Sequence, residues 1–167
     1  LAGELPELQG KIDFAALGAQ LDIYGHGNET GKIESYIRDN PESCVSYKGS
    51  VSKKELDEKL GAYDASIVPL VNRIRGAVPS KIFELIHVQV PVLFCGGGEG
   101  AAIVKRFKVG LTSSPGDSEA LRRSILQMKE MTDEEYYTLK QNCVEAARSA
   151  FSFESQLDRL IRTLDEE

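Results

Sequence analysis

The sequence predicts a doubly wound α/β domain, in which helices cover both faces of a parallel sheet, with additional helices at the C-terminal end. Short runs rich in β-branched residues alternate with longer amphipathic segments, as strands joined by crossover helices do. Two of these runs, SIVPLV and VPVLF, are almost wholly apolar, which indicates strands buried on both faces. After residue 115 the alternation ends and only helical patterns follow.

The elements follow from local signals. Five apolar runs predict strands over Leu21–Tyr24, Val45–Tyr47, Ser66–Val71, Val90–Phe94 and Val109–Thr112. Helices are predicted over Thr30–Arg38, which carries one apolar face, and over Lys53–Leu60, which opens with a capping box of Ser52 and Glu55. Three consecutive helices are predicted over Ser118–Met131, Thr132–Ala150 and Phe153–Leu164. We expect residues 1–150 to form the domain and residues 151–167 to form its terminal helix.

Length and charge limit the possible functions. The 167 residues can bury one core and most simply form one domain. A formal net charge of −6 argues against a general nucleic-acid or membrane-surface binder, since both need a basic face. Three widely spaced cysteines suggest neither a disulfide framework nor a zinc site, and no run of 18 apolar residues occurs. We expect the protein to lie in a reducing cytosol. The sequence starts at Leu1 without a Met, and this favours the interpretation that it is a piece of a longer protein.

The stretch from residue 77 to residue 94, AVPSKIFELIHVQVPVLF, carries the clearest functional signal. Pro79, Ser80 and Lys81 stand at the start of a predicted short helix, where unpaired N–H groups and the helix dipole favour an anion. Glu84 follows one turn later on the same face. We expect the amides of Ser80 and Lys81 and the Lys81 ammonium to hold a nucleoside diphosphate, with Glu84 on the ribose diol. Arg75 adds a cation to the loop before the helix. The alternative for these cations is a solvated basic loop, and the alternative for Glu84 is an ordinary exposed helix residue.

Glycines follow two of the predicted strands. Gly25 and Gly27 begin a GxGxxxG pattern, one residue longer than the dinucleotide fingerprint, and the next strand ends in Lys48 and Gly49 rather than in an acid. The pattern is equally consistent with a tight loop that a sugar or phosphate approaches and with a plain turn. His26, between the two glycines, is the histidine that we expect to touch substrate.

The segment GGGEG at residues 96–100 also follows a buried strand and precedes a helix. It lacks the GK[ST] ending of a Walker A loop, and it is either a ligand loop or a flexible connection. His26 and His87 have no carboxylate or thiolate at ligand spacing, so no metal site is expected. The chain has no GxSxG motif, which gives no support to covalent hydrolase chemistry.

These residues resemble the C-terminal, donor-binding domain of GT-B fold glycosyltransferases, most closely the large retaining family that uses nucleoside diphosphate sugars. The segments LDIYGHGNE and VSYKGSVSKKELDEKLGAYDASIVPL are similar to that family's glycine loop and base-side elements. PSKIFELIHVQVPVLF is similar to its signature helix and strand, and GEGAAIVKRFKVGL and FSFESQLDRLIRTL to its closing elements. The resemblance implies a Rossmann-like half of a GT-B fold.

The resemblance also implies roles for single residues. Glu84 would bind the ribose hydroxyls, and the backbone around Tyr47 with Pro69 would receive the base. The implied donor-binding set is Lys11, Gly25, His26, Gly27, Tyr47, Lys48, Gly49, Pro69, Arg75, Pro79, Ser80, Lys81 and Glu84. Gly76 stands where the family carries an acid that contacts the transferred sugar, and Glu4 where it carries an arginine. Catalytic residues are therefore not identified.

The implied activity is transfer of a sugar from a UDP- or GDP-type donor to a glycan or lipid-linked acceptor, in capsule, O-antigen or lipopolysaccharide biosynthesis. No cofactor and no metal are expected. The acceptor would bind a missing N-terminal domain toward which residues 151–167 pack, so these 167 residues alone are expected to be inactive. The expected location is the cytoplasm, where the longer protein could lie peripherally on the inner face of the membrane. A UDP-sugar epimerase of the same two-lobed fold and a non-catalytic dinucleotide-binding module are the alternatives.

Overall fold

A computed structural model of the chain describes residues 12–70 and 78–152, together with Ser155, Leu157 and Ile161. Its strands are β1 (Leu21–Tyr24), β2 (Val45–Gly49), β3 (Ser66–Pro69), β4 (Val92–Cys95) and β5 (Gly110–Ser113). Its helices are α1 (Thr30–Asp39), α2 (Lys53–Leu60), α3 (Ser80–His87), α4 (Gly98–Phe107), α5 (Ser118–Lys129) and α6 (Asp133–Ser149). Strands and helices alternate up to β5, and the predicted α/β class is confirmed.

All described strand pairs are parallel, but they form two sheets. β1 pairs with β2, and β3, β4 and β5 pair in that order. Ile23 lies opposite Tyr47 in the first sheet, and Val68 lies opposite Phe94 in the second. Because the strands are parallel, the carboxyl ends of each sheet collect at one edge, which is where open α/β sheets bind ligands.

Helices cover both faces of the three-stranded sheet, as the apolar runs predicted. β4 is buried at all four positions, and its side chains alternate between two core clusters. Leu93 and Cys95 face the cluster that contains Ile33 and Leu121. Phe94 belongs to the other cluster, which also contains Ile82 and Val104.

The boundary between α3 and β4 differs from the prediction for a local reason. The predicted strand began at Val90, whereas β4 begins at Val92. The Val90 amide still bonds the Leu85 carbonyl of α3 at 3.0 Å, and Pro91 has no N–H to give to a ladder. The first β4 amide free to pair is therefore that of Val92, which bonds the Val109 carbonyl.

The two predicted capping boxes are present, and they set the starts of α2 and α6. Ser52 and Glu55 exchange hydrogen bonds at the start of α2, and Thr132 and Glu135 do so at the start of α6. Of the third predicted C-terminal helix, Phe153–Leu164, most lies outside the described residues, and Ser155, Leu157 and Ile161 are helical. The predicted domain bounds, 1–150 and 151–167, stay a prediction.

Within the ranges 12–70 and 78–152, none of the helices combines the length and the apolar composition that crossing a bilayer requires.

Candidate functional site

The first turn of α3 contains no acidic residue, and no side chain caps its backbone amides. Pro79 precedes the helix in an extended conformation, with φ −61° and ψ 126°, and has no side-chain cap to offer. The Ile82 amide bonds back to the Pro79 carbonyl at 3.1 Å, which leaves the amides of Ser80 and Lys81 ahead of that first bond. The positive end of the helix dipole lies at these two amides.

Glu84 lies one turn into α3, as predicted, and its carboxylate points back to the helix start. Its Oε2 accepts a hydrogen bond from the Lys81 ammonium at 2.7 Å, and its Oε1 accepts one from the Ser80 hydroxyl at 3.2 Å. The Glu84 side chain is 26% exposed, compared with 44% for Lys81. The carboxylate, the ammonium and the hydroxyl thus form one polar group at the mouth of the helix.

The pKa of the Glu84 carboxyl is lowered from its ordinary value. The largest cause is the hydrogen bond from Lys81, which partial burial of the carboxyl opposes. The Ser80 hydroxyl lowers the pKa further, and the charge of Lys53, at the start of α2, makes the smallest contribution. Glu84 is therefore held as a carboxylate, a hydrogen-bond acceptor suited to a pair of vicinal hydroxyls.

A cavity of about 810 Å³ lies beside this group, lined by every residue of β1 and of β3. We call it the β1–β3 cavity. Among the predicted donor-binding residues it brings together Pro69, Lys81 and Glu84. Its volume is within the range of small-molecule sites. The predicted residues of β2 and of the first glycine loop do not line it.

A polar network inside the β1–β3 cavity escaped the sequence prediction. The Tyr63 hydroxyl donates to Asp22 Oδ2 at 2.7 Å and shares a second hydrogen bond with the Tyr24 hydroxyl at 2.9 Å. The Lys48 Nζ lies 3.6 Å from Asp22 Oδ1, which makes an ion pair. Burial, followed by the hydrogen bonds to Tyr24 and Asp22, raises the pKa of Tyr63 well above its ordinary value. An acidic residue inside the otherwise apolar strand LDIY was the available signal.

The predicted residues at the carboxyl ends of β1 and β2 lie together and brace one another. Gly25 has φ +124°, a conformation that favours glycine, and its amide bonds the Gly49 carbonyl. The Tyr47 hydroxyl donates to the Gly25 carbonyl at 2.7 Å. The structure thus joins Tyr47 to the glycine loop through its side chain. His26 is exposed between the two glycines.

Gly27 links the loop to α1. Its amide donates to the Thr30 hydroxyl oxygen at 3.1 Å, and its carbonyl accepts from that hydroxyl at 2.8 Å. This reciprocal pair is a local turn that leads into the helix. The loop is therefore a hydrogen-bonded turn at the carboxyl end of β1, and which of the two predicted roles it serves stays a prediction.

The GGGEG segment is packed rather than loose. A Cβ on Gly96 would lie 2.6 Å from the Phe94 ring, and a Cβ on Gly100 would lie 2.7 Å from it. Both glycines are buried. The absence of side chains is what lets the Phe94 ring lie beneath the start of α4.

Two of the predicted donor-binding residues, Lys11 and Arg75, lie outside the described residues, as do Glu4 and Gly76. Within the described part of the chain, no three His, Cys, Asp or Glu side chains form a group that could hold a metal ion. The structure describes the positions of the other predicted donor-binding residues, and their roles stay predictions.

Comparison with known proteins gives two findings. A family model described as glycosyl transferases group 1 matches residues 1–130. The chain is also similar to the crystal structure of the pneumococcal O-GlcNAc transferase GtfA in complex with UDP and GlcNAc, with 16% sequence identity and a TM-score of 0.67. That match covers 97% of this chain and 32% of the GtfA chain, so the chain spans about a third of the length of that protein. No curated protein matches the chain significantly.

Proposed function

The chain belongs to the glycosyl transferases group 1 family, and from that premise we propose that it binds the nucleoside diphosphate sugar of a glycosyltransferase. Its fold is the Rossmann-like half of a GT-B architecture, in agreement with the structural likeness to GtfA. The donor is of the UDP or GDP type, and the transferred sugar goes to a glycan or lipid-linked acceptor in surface polysaccharide biosynthesis. A cytoplasmic location, where such donors are made, is part of the proposal.

One observation carries the proposal: the Glu84 carboxylate lies at the mouth of α3, hydrogen-bonded to Lys81 and Ser80. The Glu84 backbone lies about 6 Å along the helix axis from that of Ser80, and its side chain reaches back toward the helix start. That separation suits a ribose diol joined to a diphosphate. The diphosphate then lies at the positive end of the helix and the ribose lies against Glu84.

The same geometry assists departure of the diphosphate. Negative charge grows on the leaving phosphate as the bond to the sugar breaks, and the start of α3 stabilises that charge. A helix N-terminus contributes up to about 2 kcal/mol when partly buried, and each charge-assisted hydrogen bond about 1.5–3 kcal/mol. Lys81 supplies such a bond when it turns from Glu84 to phosphate, so we propose that no metal ion is needed.

The likeness to GtfA favours a UDP-type donor, since that protein was crystallised with UDP and GlcNAc. The acceptor and any base that activates it are proposed to bind a second domain of a longer protein. The 167 residues alone are accordingly expected to bind nucleotide without transferring sugar.

Calorimetric titration tests the proposal. UDP, GDP, one sugar conjugate of each, and NAD are titrated separately into the purified chain. We expect UDP or GDP and its sugar to bind more tightly than NAD. Tighter binding of NAD would overturn the proposal in favour of a dinucleotide module. A UDP-sugar epimerase would share the nucleotide preference, and it is distinguished by conversion of the UDP-sugar without an acceptor.

A further inference from the structure

Lys53, the first residue of α2, is an exposed cation close to the candidate site. None of the ion pairs among the described residues includes it. Two lysines of the predicted donor-binding set do have carboxylate partners: Lys48 pairs with Asp22, and Lys81 pairs with Glu84. The Lys53 ammonium is therefore available to a ligand without first leaving a carboxylate.

Helical spacing places Lys53 beside the group at the mouth of α3. Leu56 and Leu60 of α2 line the β1–β3 cavity, and so do Lys81 and Glu84 of α3. Lys53 precedes Leu56 by three residues, so the two side chains share a face of α2, and Lys53 lies one turn closer to the helix start. The charge of Lys53 helps to lower the pKa of the Glu84 carboxyl, which agrees with this placement.

The backbone amides at the start of α2 are already in use. The Ser52 hydroxyl oxygen accepts a hydrogen bond from the Glu55 amide, and the Glu55 carboxylate accepts one from the Ser52 amide at 2.9 Å. Because that carboxylate lies at the positive end of the helix, a second phosphate is disfavoured there. The Lys53 side chain is accordingly suited to an uncharged acceptor.

We propose that Lys53 contacts the base of the donor nucleotide and selects bases that carry an exocyclic carbonyl oxygen. This inference rests on the proposed function, which gives the positions of the diphosphate and the ribose. The diphosphate and the base are attached to opposite ends of a ribose. With the diphosphate at the start of α3 and the diol on Glu84, the base extends away from α3 and meets the start of α2.

The chemistry of the ammonium determines which bases it favours. A lysine ammonium has three hydrogen-bond donors and no acceptor. Guanine presents its O6 carbonyl oxygen, and uracil presents O4 as thymine does, whereas adenine carries an amino group where guanine has O6. Lys53 thus stabilises a UDP- or GDP-type donor, and on adenine it meets another donor.

Calorimetric titration of the protein at its natural length tests the proposal. Lys53→Met removes the ammonium and keeps a long unbranched side chain. The matched control, Lys54→Met, removes the same charge from the next residue, which is also exposed. UDP or GDP, whichever the unaltered protein binds more tightly, is titrated into each variant, and ADP is measured by displacement of that nucleotide.

We expect Lys53→Met to weaken binding of the preferred nucleotide by about 3- to 10-fold, because a charge-assisted hydrogen bond from an exposed side chain is lost. Binding of ADP is expected to change by less than about twofold, since adenine lacks the carbonyl partner. The preference for UDP or GDP over ADP therefore falls in Lys53→Met and is retained in Lys54→Met.

Equal weakening of ADP and of the preferred nucleotide would overturn the proposal, because the Lys53 charge would then act on the phosphates. Equal results for Lys53→Met and Lys54→Met would overturn it as well. Both outcomes leave the proposed function standing. If the unaltered protein binds none of the three nucleotides, the proposed function and this inference fail together. Thermal unfolding of each variant is measured, and Lys53→Ala replaces Lys53→Met if the latter unfolds at a lower temperature.

Discussion

Replacing Glu84 by glutamine tests the candidate site directly. Glu84→Gln keeps the shape of the side chain and removes the charge that would accept the ribose hydroxyls. A hydrogen bond to a charged group is worth about 1.5–3 kcal/mol, which corresponds to roughly 10- to 150-fold in affinity. The Glu84 side chain is 26% exposed and stays partly solvated, so we expect the lower part of that range, about 10- to 30-fold.

The assay is calorimetric titration with UDP or GDP, whichever the unaltered chain binds more tightly. The matched control is Glu34→Gln, an exposed glutamate on α1 that is remote from the candidate site in sequence. Ser80→Ala is a second control, because it keeps the backbone amide that the phosphate would use. It is expected to weaken binding by less than about 1 kcal/mol.

A dissociation constant that Glu84→Gln changes no more than Glu34→Gln does would refute the contact between Glu84 and the ribose. Thermal unfolding of each variant is measured alongside, because the side-chain amide that Glu84→Gln introduces can loosen the start of α3. If the variants unfold at equal temperatures but differ in affinity, the loss of affinity comes from the ligand contact.

Three further variants test the architecture. Gly110→Ala is expected to destabilise the chain by about 1–3 kcal/mol or more in urea unfolding, because the new Cβ would overlap the Val92 carbonyl oxygen of β4. The control Gly61→Ala, with no atom within 4 Å, is expected to be neutral or slightly stabilising. Lys81→Met is expected to raise the pKa of the Glu84 carboxyl, measured by NMR titration, because it removes the hydrogen bond that lowers this pKa. In the unaltered chain the lowered pKa stabilises the fold at pH values above the ordinary carboxyl pKa. This contribution is lost as the pH falls through the lowered pKa. Thr132→Ala is expected to cost about 0.5–2 kcal/mol by removing the α6 cap, measured by urea unfolding.

The sequence predicted the features that depend on near neighbours. Both capping boxes join residues three apart, and Glu84 meets Ser80 and Lys81 within one turn, so helical spacing alone brings them together. The order of strands and helices was predictable for the same reason. The apolar period and the β-branched runs are properties of single segments.

Features that depend on distant residues were not predictable. The contact between Tyr63 and Asp22 joins residues 41 apart, and no pattern in either segment indicates the other. The sequence does not decide whether the GGGEG glycines form a ligand loop or a flexible connection, because only the packed position of the Phe94 ring reveals why side chains are absent there. The division of the strands into two sheets depends likewise on pairing between segments.

The junction between α3 and β4 bears on how a ligand is received. Two residues of that junction, Gln89 with φ 60° and Pro91, are conformationally restricted, and the Val90 amide ties the strand entrance to the helix. The helix that carries Glu84 is thereby tied to β4, a strand whose four residues are all buried. Under the proposed function, a nucleotide would therefore meet a helix start already positioned by β4, and long side chains such as that of Lys81 would make the adjustment.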